Sequence, residues 1–212
     1  MYSSLKTYFP NITQTQLEQF NQLVDLFQEW NAKINLVSRK DTAHLFERHI
    51  LHSLAIAKHF SFENGTNIID IGTGGGFPGI PLAIMFPKAN FDLVDSIGKK
   101  IIAVKDMSEK LGLANVTAIK TRAENLPAKY DFVISRAVTA FPAFAKICST
   151  LFRKNNIIIN SGIIYLKGGE FKEEIVGFKG IKVYNINEIF TNEFFETKKI
   201  IYLPINYTTI LT

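Results

Sequence analysis

Residues Asn67 to Gly79, NIIDIGTGGGFPG, constrain the fold more than any other stretch of the chain. Ile68, Ile69 and Ile71 form a short apolar run broken by one carboxylate, Asp70. Gly72, Gly74, Gly75, Gly76 and Gly79 then crowd the next eight residues, and Pro78 and Pro81 bracket the start of a second apolar run, Ile80 to Phe86. A buried strand, a bare backbone turn and a helix start read this way. Glycine serves where φ must be positive or where a ligand must approach the main chain closely. A helix N-terminus behind such a turn points unpaired N–H groups at whatever sits there. The order strand, loop, helix predicts a nucleotide- or nucleoside-binding turn at the edge of a parallel sheet.

Two ligands compete for the turn. Gly74, Gly76 and Gly79 satisfy G-x-G-x-x-G and would suit a dinucleotide. The alternative frame, Asp70-Ile71-Gly72-Thr73-Gly74-Gly75-Gly76, resembles the first motif of S-adenosylmethionine-dependent methyltransferases. A carboxylate at the end of the strand suits an ammonium and a sulfonium and repels a pyrophosphate, which favours S-adenosylmethionine over NAD.

The 212 residues suit one domain with an appendage, and 47% hydrophobic content is enough for a real core. No run of about 18 apolar residues appears, so no membrane span is expected. The N-terminus lacks the basic-then-apolar shape of a signal peptide, and the single cysteine, Cys148, has no internal partner, so a cytoplasmic address is expected. A net charge of +5 permits a polyanionic partner. The five arginines, at 39, 48, 122, 136 and 153, are scarce enough for their positions to inform.

Along the chain, Leu17, Phe20, Val24, Phe27, Trp30 and Ile34 recur at helical spacing after a capping box of Thr13 and Gln16. Trp30 reads as a core anchor. A second helix is expected from Asp41, as N-cap, to about Phe60. It holds all four histidines, but with no H-E-x-x-H and no cysteine nearby no metal site is expected. From Ile68 strand and helix patterns alternate: strands at 91–94, 116–119, 132–134 and 163–166, helices at 98–111, with Gly112 as the stop, and at 143–152. An ambiguous run lies at 157–159. A short helix at 170–178 and closing strands at 182–186 and 199–203 complete the pattern. The expected fold is α/β: a doubly wound, mainly parallel, seven-stranded Rossmann-like sheet, with a helical extension over residues 1–60 and the core over 61–212.

Ligands of such sheets bind outside the carboxyl ends of the strands. Gly72 and Gly74 follow the first strand. The second ends in Asp95, 23 residues beyond Gly72, where a carboxylate can accept from ribose hydroxyls or cap the next helix. The third is followed by Arg122, Ala123 and Glu124, either an adenine-contacting edge or a surface ion pair. The fourth is followed by Ser135 and Arg136, where methyltransferases engage their acceptor. ISRAVTAF lacks the Asn-Pro-Pro-Tyr of amino-group enzymes, and Cys148 lies too far inside a helix to serve pyrimidine carbon-5 chemistry. A ring nitrogen with a free lone pair, such as guanine N7, needs neither device, because no proton has to be removed. Arg136 then reads as a positioning residue, or else as a structural partner of Glu124. Arg39, Arg48, Lys99, Lys100 and Arg122 are the candidates for phosphate contacts with a polyanionic partner, which the resemblance set out next makes RNA.

WNAKINLVS (30–38), RHILHS (48–53), IDIGTGGGFPGIPLA (69–83), LVDSIGKK (93–100), RAE (122–124), DFVISRA (131–137) and YLKGG (165–169) occur in that order. Together they resemble the ribosomal small-subunit methyltransferase G family (RsmG or GidB, glucose-inhibited division protein B). The resemblance implies a cytoplasmic enzyme that moves a methyl group from S-adenosylmethionine to N7 of a guanine in 16S rRNA near the decoding region. Its cofactor contacts carry over to Gly72, Phe77, Ala123, Glu124 and Arg136. It implies 16S rRNA or the small ribosomal subunit as partner, no metal and no membrane, and a monomer is expected. His52 departs from the family, many of whose members have Asp in RHI-x-D-S. Two other readings stand beside it: a nicotinamide-dependent oxidoreductase, and a non-catalytic RNA-binding assembly factor that kept the fold.

Overall fold

The computed structural model describes residues 2–127, 129–136, 138–153 and 161–205, without the side chains of residues 2, 3 and 39. The run at 157–159 lies outside the described residues. Seven strands form one sheet: β1 (Asn67–Ile71), β2 (Asn90–Asp95), β3 (Val116–Lys120), β4 (Phe132–Arg136), β5 (Gly162–Gly168), β6 (Lys182–Asn185) and β7 (Lys198–Pro204). Their order is β3-β2-β1-β4-β5-β7-β6. The pairs from β3 to β5 are parallel, and β7 runs antiparallel to both β5 and β6. The chain order reverses between β1 and β4, and the glycine turn leaves β1 at that switch point, where ligands of open α/β sheets bind.

The helices are α1 (Tyr2–Tyr8), α2 (Gln14–Ile34), α3 (Arg39–Thr42), α4 (His52–Leu54), α5 (Ile56–His59), α6 (Gly79–Met85), α7 (Gly98–Lys110) and α8 (Phe141–Cys148). The α2 capping box is complete: Thr13 Oγ1 accepts from Gln16 N–H, and Gln16 Oε1 accepts from Thr13 N–H. The Gln16 amide also donates to Ile84 O at 2.8 Å, tying α2 to α6. Leu17, Phe20, Leu23 and Phe27 bury one stripe of α2 in the same hydrophobic cluster as Ile80, Leu82 and Leu93. Truncating Phe20 or Phe27 to Ala would cost about 3–5 kcal/mol. Trp30 packs half-buried against this cluster, its Nε1 donating to Asp106 at 2.7 Å. A second cluster, on Ile69, Val133, Phe144 and Tyr165, lies under α8.

Three expected helices differ. The one at 41–60 is broken. Ser38, not Asp41, caps α3, its hydroxyl accepting from Asp41 N–H, and a π-helical turn, Phe46–Leu51, precedes α4. The helix at 143–152 is α8: Pro142 sets its first turn, and Phe152 has left to bridge Tyr130. The segment 170–178 holds only a 3-10 turn, Lys172–Ile175, because Glu174 is drawn to Lys167 Nζ and Phe141 N–H, and Gly177 takes φ +91°.

Candidate active site

The turn between β1 and α6 is built on Asp70. This carboxylate is fully buried; its Oδ2 accepts from Thr73 Oγ1 at 2.7 Å and from Gly79 N–H at 2.9 Å. Its Oδ1 is buried and has no partner among the described residues. Burial pushes its pKa up to about 7 against the pull of Thr73, the Gly79 N–H and Arg136. Gly72 and Gly74 take φ of +68° and +59°. A Cβ on Gly74 would have only Gly72 O, at 3.9 Å, within reach, so the turn is open on that side. A Cβ on Gly72 would strike Val138, in the loop after β4.

Asp95, at the end of β2, reaches both neighbours. Its Oδ2 accepts from Gly74 N–H at 3.1 Å and its Oδ1 from Ile97 N–H at 2.8 Å, at the start of α7. Ile97 is the N-cap of α7 and no side chain caps that helix; Asp95 instead holds the turn ahead of it and fixes the glycine turn against β2. Lys100 Nζ stands 3.8 Å from Asp95. Ala123 is buried after β3, while Arg122 and Glu124 beside it are exposed, with no ion pair between them among the described contacts.

Arg136, the last residue of β4, does not pair with Glu124 as the alternative expectation had it. It turns to the N-terminal extension. Nη1 donates to Arg48 O at 3.2 Å and Nη2 to His49 Nδ1 at 2.9 Å. A guanidinium only donates, so His49 Nδ1 must be the acceptor and Nε2 carries the proton. Burial first, and the Arg136 charge second, hold His49 down at about 3, so it is neutral. The Phe77 ring lies 5.5 Å from the Arg136 guanidinium and packs inward against Phe27 and His49. Only the backbone of Phe77 belongs to the turn, its N–H donating to Thr73 O.

On the other side of Arg136 opens a cavity of about 300 Å³, lined also by Asp41, Arg48, His52, Lys167, Phe194 and Lys198. Arg48 Nη1 donates to Asp41 Oδ1 at 3.1 Å. His52 is buried, kept neutral first by burial, and lies edge-on to Phe194 and Phe195. The structure thus brings Arg48 beside Arg136, whereas Lys99, Lys100 and Arg122 lie on the β2–β3 side of the turn. The side chain of Arg39 is not described. Sequence reasoning missed Tyr165. Its buried hydroxyl accepts from Val138 N–H at 2.9 Å and Thr139 N–H at 3.2 Å and donates to Thr139 O at 2.7 Å, which pins the loop beyond Arg136. It missed Lys167, Phe194 and Lys198 as well, although Lys167 stands in the YLKGG run.

The fold has close counterparts. A SAM-dependent methyltransferase from Aquifex aeolicus superposes with a TM-score of 0.55 at 16% identity, covering 80% of this chain and 100% of its own. A putative rRNA methylase from Clostridium thermocellum superposes at 0.54 and 15% identity, covering 75% and 97%. The fold is that of class I S-adenosylmethionine-dependent methyltransferases, and the buried carboxylate of Asp70, the open glycine turn and the acidic end of β2 fit that cofactor. A model of the rRNA small subunit methyltransferase G family (GidB) matches residues 16–200. Proteins of that name from Christiangramia forsetii and Porphyromonas gingivalis are 50% and 47% identical to the chain, over 96% and 95% of it and 97% and 92% of their own lengths. The chain belongs to the rRNA small subunit methyltransferase G family.

Proposed function

We propose that the chain methylates N7 of a guanine in 16S rRNA, near the decoding region, and that its RNA partner is 16S rRNA or the small ribosomal subunit in the cytoplasm, with the enzyme acting as a monomer. When bound, S-adenosylmethionine supplies an electrophilic methyl group. Gly72, Gly74, Ala123, Glu124 and the backbone of Phe77 would hold it, with Asp95 fixing the turn and accepting from the ribose. No helix among the described residues is long and apolar enough to cross a membrane.

The observation that carries the reading is the setting of Arg136. It stands between the glycine turn and the cavity, and among the described residues that line the cavity none is placed to take a proton; Asp70, with its pKa pushed up to about 7, is fully buried in the turn with Oδ2 held by Thr73 and the Gly79 N–H. Asp41 is paired with Arg48, His49 is pinned as an acceptor by Arg136, and burial holds both His49 and His52 far below the range of a useful base. Guanine N7 presents an in-plane lone pair and loses no proton on methylation. The chain's task is then to hold a base edge in line and to tolerate the positive charge that develops, which is positioning work. Arg136 cannot serve as a base and acts through its fixed donors. The test is transfer from labelled S-adenosylmethionine to purified 16S rRNA and to small subunits, followed by nucleoside digestion. Label in 7-methylguanosine supports the reading. Label in an exocyclic amine or a pyrimidine carbon sinks it.

A further inference from the structure

We infer that the cavity between Arg136 and the β6–β7 connection is a phosphodiester site for the RNA strand that carries the methyl acceptor, and that Lys198 and Phe194 form its outer wall. The inference rests on the rRNA reading above and gives the closing strands, whose role the sequence leaves open, a place in substrate binding.

Three paired strands supply the floor at the carboxyl edge of the sheet: Arg136 of β4 pairs with Leu166 of β5, and Gly168 of β5 pairs with Lys198 of β7. The cations that face the cavity are unequally spent. Lys167 is held by Glu174 at 2.8 Å and Arg48 by Asp41 at 3.1 Å. Among the described residues no carboxylate lies within ion-pair distance of Arg136 or Lys198. His49 and His52 are neutral and cancel nothing. Arg136 feels Asp70 and Asp41 only at longer range, so the cations Arg48, Arg136, Lys167 and Lys198 outweigh the carboxylates Asp41 and Glu174 around one small cavity, a local positive field that an anionic group satisfies, with Lys198 the cation free to reach it.

The wall is also built for a nucleotide. The Phe194 ring carries Lys198 Nζ at 4.7 Å and the Arg48 guanidinium at 5.5 Å. An aromatic face held between cations is the pairing that single-stranded nucleic-acid sites use, the ring for sugar or base and the cations for phosphate. The connection is anchored where it must be, because Asn192 Nδ2 donates to Glu47 Oε1 at 2.8 Å across to the π-helical turn that carries Arg48. Gly168 sits directly beneath this wall: a Cβ there would stand 2.8 Å from Lys198 Nζ, so any larger residue would push the lysine tip aside.

The experiment measures filter binding and steady-state methylation of 16S rRNA across salt concentration, for the full-length wild type, Lys198→Gln, Lys198→Arg and Phe194→Leu. Lys105→Gln, on an exposed lysine of α7 paired with Glu109, is the control for a general loss of charge. Loss of one phosphate contact should flatten the logarithmic salt slope by about 0.7 in Lys198→Gln. It should raise KM about tenfold. Lys198→Arg should keep the slope, Phe194→Leu should weaken binding with the slope intact, and Lys105→Gln should match wild type. Calorimetry with S-adenosylhomocysteine reports whether each variant is folded. If the wild type binds with a steep slope and methylates while Lys198→Gln matches it in affinity and slope, the phosphate site is overturned and the rRNA reading stands. If wild-type binding is itself flat in salt and no methyl reaches the RNA, the rRNA reading falls and takes this inference with it.

Discussion

Asp70 should couple cofactor binding to a proton. Its carboxyl is fully buried, one oxygen has no partner among the described residues, and its pKa is pushed up to about 7. In the free protein it is therefore mostly protonated below that pH. A cation arriving in the turn favours the ionised form and drives the proton off, so affinity must rise with pH until Asp70 is already ionised. If the bound cation restores Asp70 to the ordinary carboxylate range, the linkage relation gives affinity about fifteenfold tighter at about pH 7 than at about pH 5.5. That window stays below the ligand's own α-amino titration, near 8. His49 and His52 cannot supply the effect, because both are held far below it. Calorimetry of S-adenosylmethionine at the two pH values, in buffers of different ionisation enthalpy, should show the affinity change and proton release together. S-adenosylhomocysteine lacks the sulfonium charge and should show less. In Asp70→Asn an amide oxygen can still accept from Thr73 and Gly79, and the dependence should vanish. The same shift has a stability consequence of opposite use: between about pH 4 and 7 the folded state binds the extra proton, so the ligand-free enzyme loses stability as pH rises through that window and then levels off. A wild-type affinity constant within twofold across the window, with no proton release, would refute the reasoning.

Gly74→Val should leave a protein folded by circular dichroism and abolish cofactor binding, because φ of +59° costs a β-branched residue about 1–3 kcal/mol and its side chain enters the open face of the turn. Asp95→Ala removes acceptors from Gly74 N–H and Ile97 N–H, and calorimetry should find cofactor binding weaker by about 1–3 kcal/mol. Arg136→Lys keeps the charge but not the fork to Arg48 O and His49, and single-turnover transfer should slow about 10- to 100-fold. With cofactor and RNA saturating, the wild-type single-turnover rate should show no rising limb between about pH 6 and 9; an ionisation there that disappears in one carboxylate or histidine variant would show that a base exists.

Much of this was legible in the residues because it is local. The Thr13–Gln16 box and the stripe from Leu17 to Phe27 need only helical periodicity, and they fold as read. The glycine run after Ile71 announces positive φ, and Asp95 ends β2 at the expected distance. What escaped depends on partners far away in sequence. The helix expected from Asp41 to Phe60 is interrupted by the π-helical turn Phe46–Leu51, where Arg136, 88 residues away, takes Arg48 O. A π-helical turn of this kind often marks a functional site, and no spacing rule foretells it. Phe77, read as a cofactor contact, packs its ring against Phe27 and His49, partners that no local pattern names. Phe194 and Lys198 look like an ordinary turn and strand start until β7 places them beside Arg136 and Gly168.

If the chain methylates a guanine of 16S rRNA at N7, the cell's own 16S rRNA carries the mark. Mass mapping of 16S rRNA from cells with the gene, without it, and complemented with wild type or Arg136→Lys tests it most directly. The account predicts that deletion removes one methyl group from a single guanosine near the decoding region, that this guanosine is the 7-methyl form in cells with the gene, that wild type restores it, and that Arg136→Lys restores it poorly. An rRNA whose methylation pattern is identical with and without the gene would contradict it.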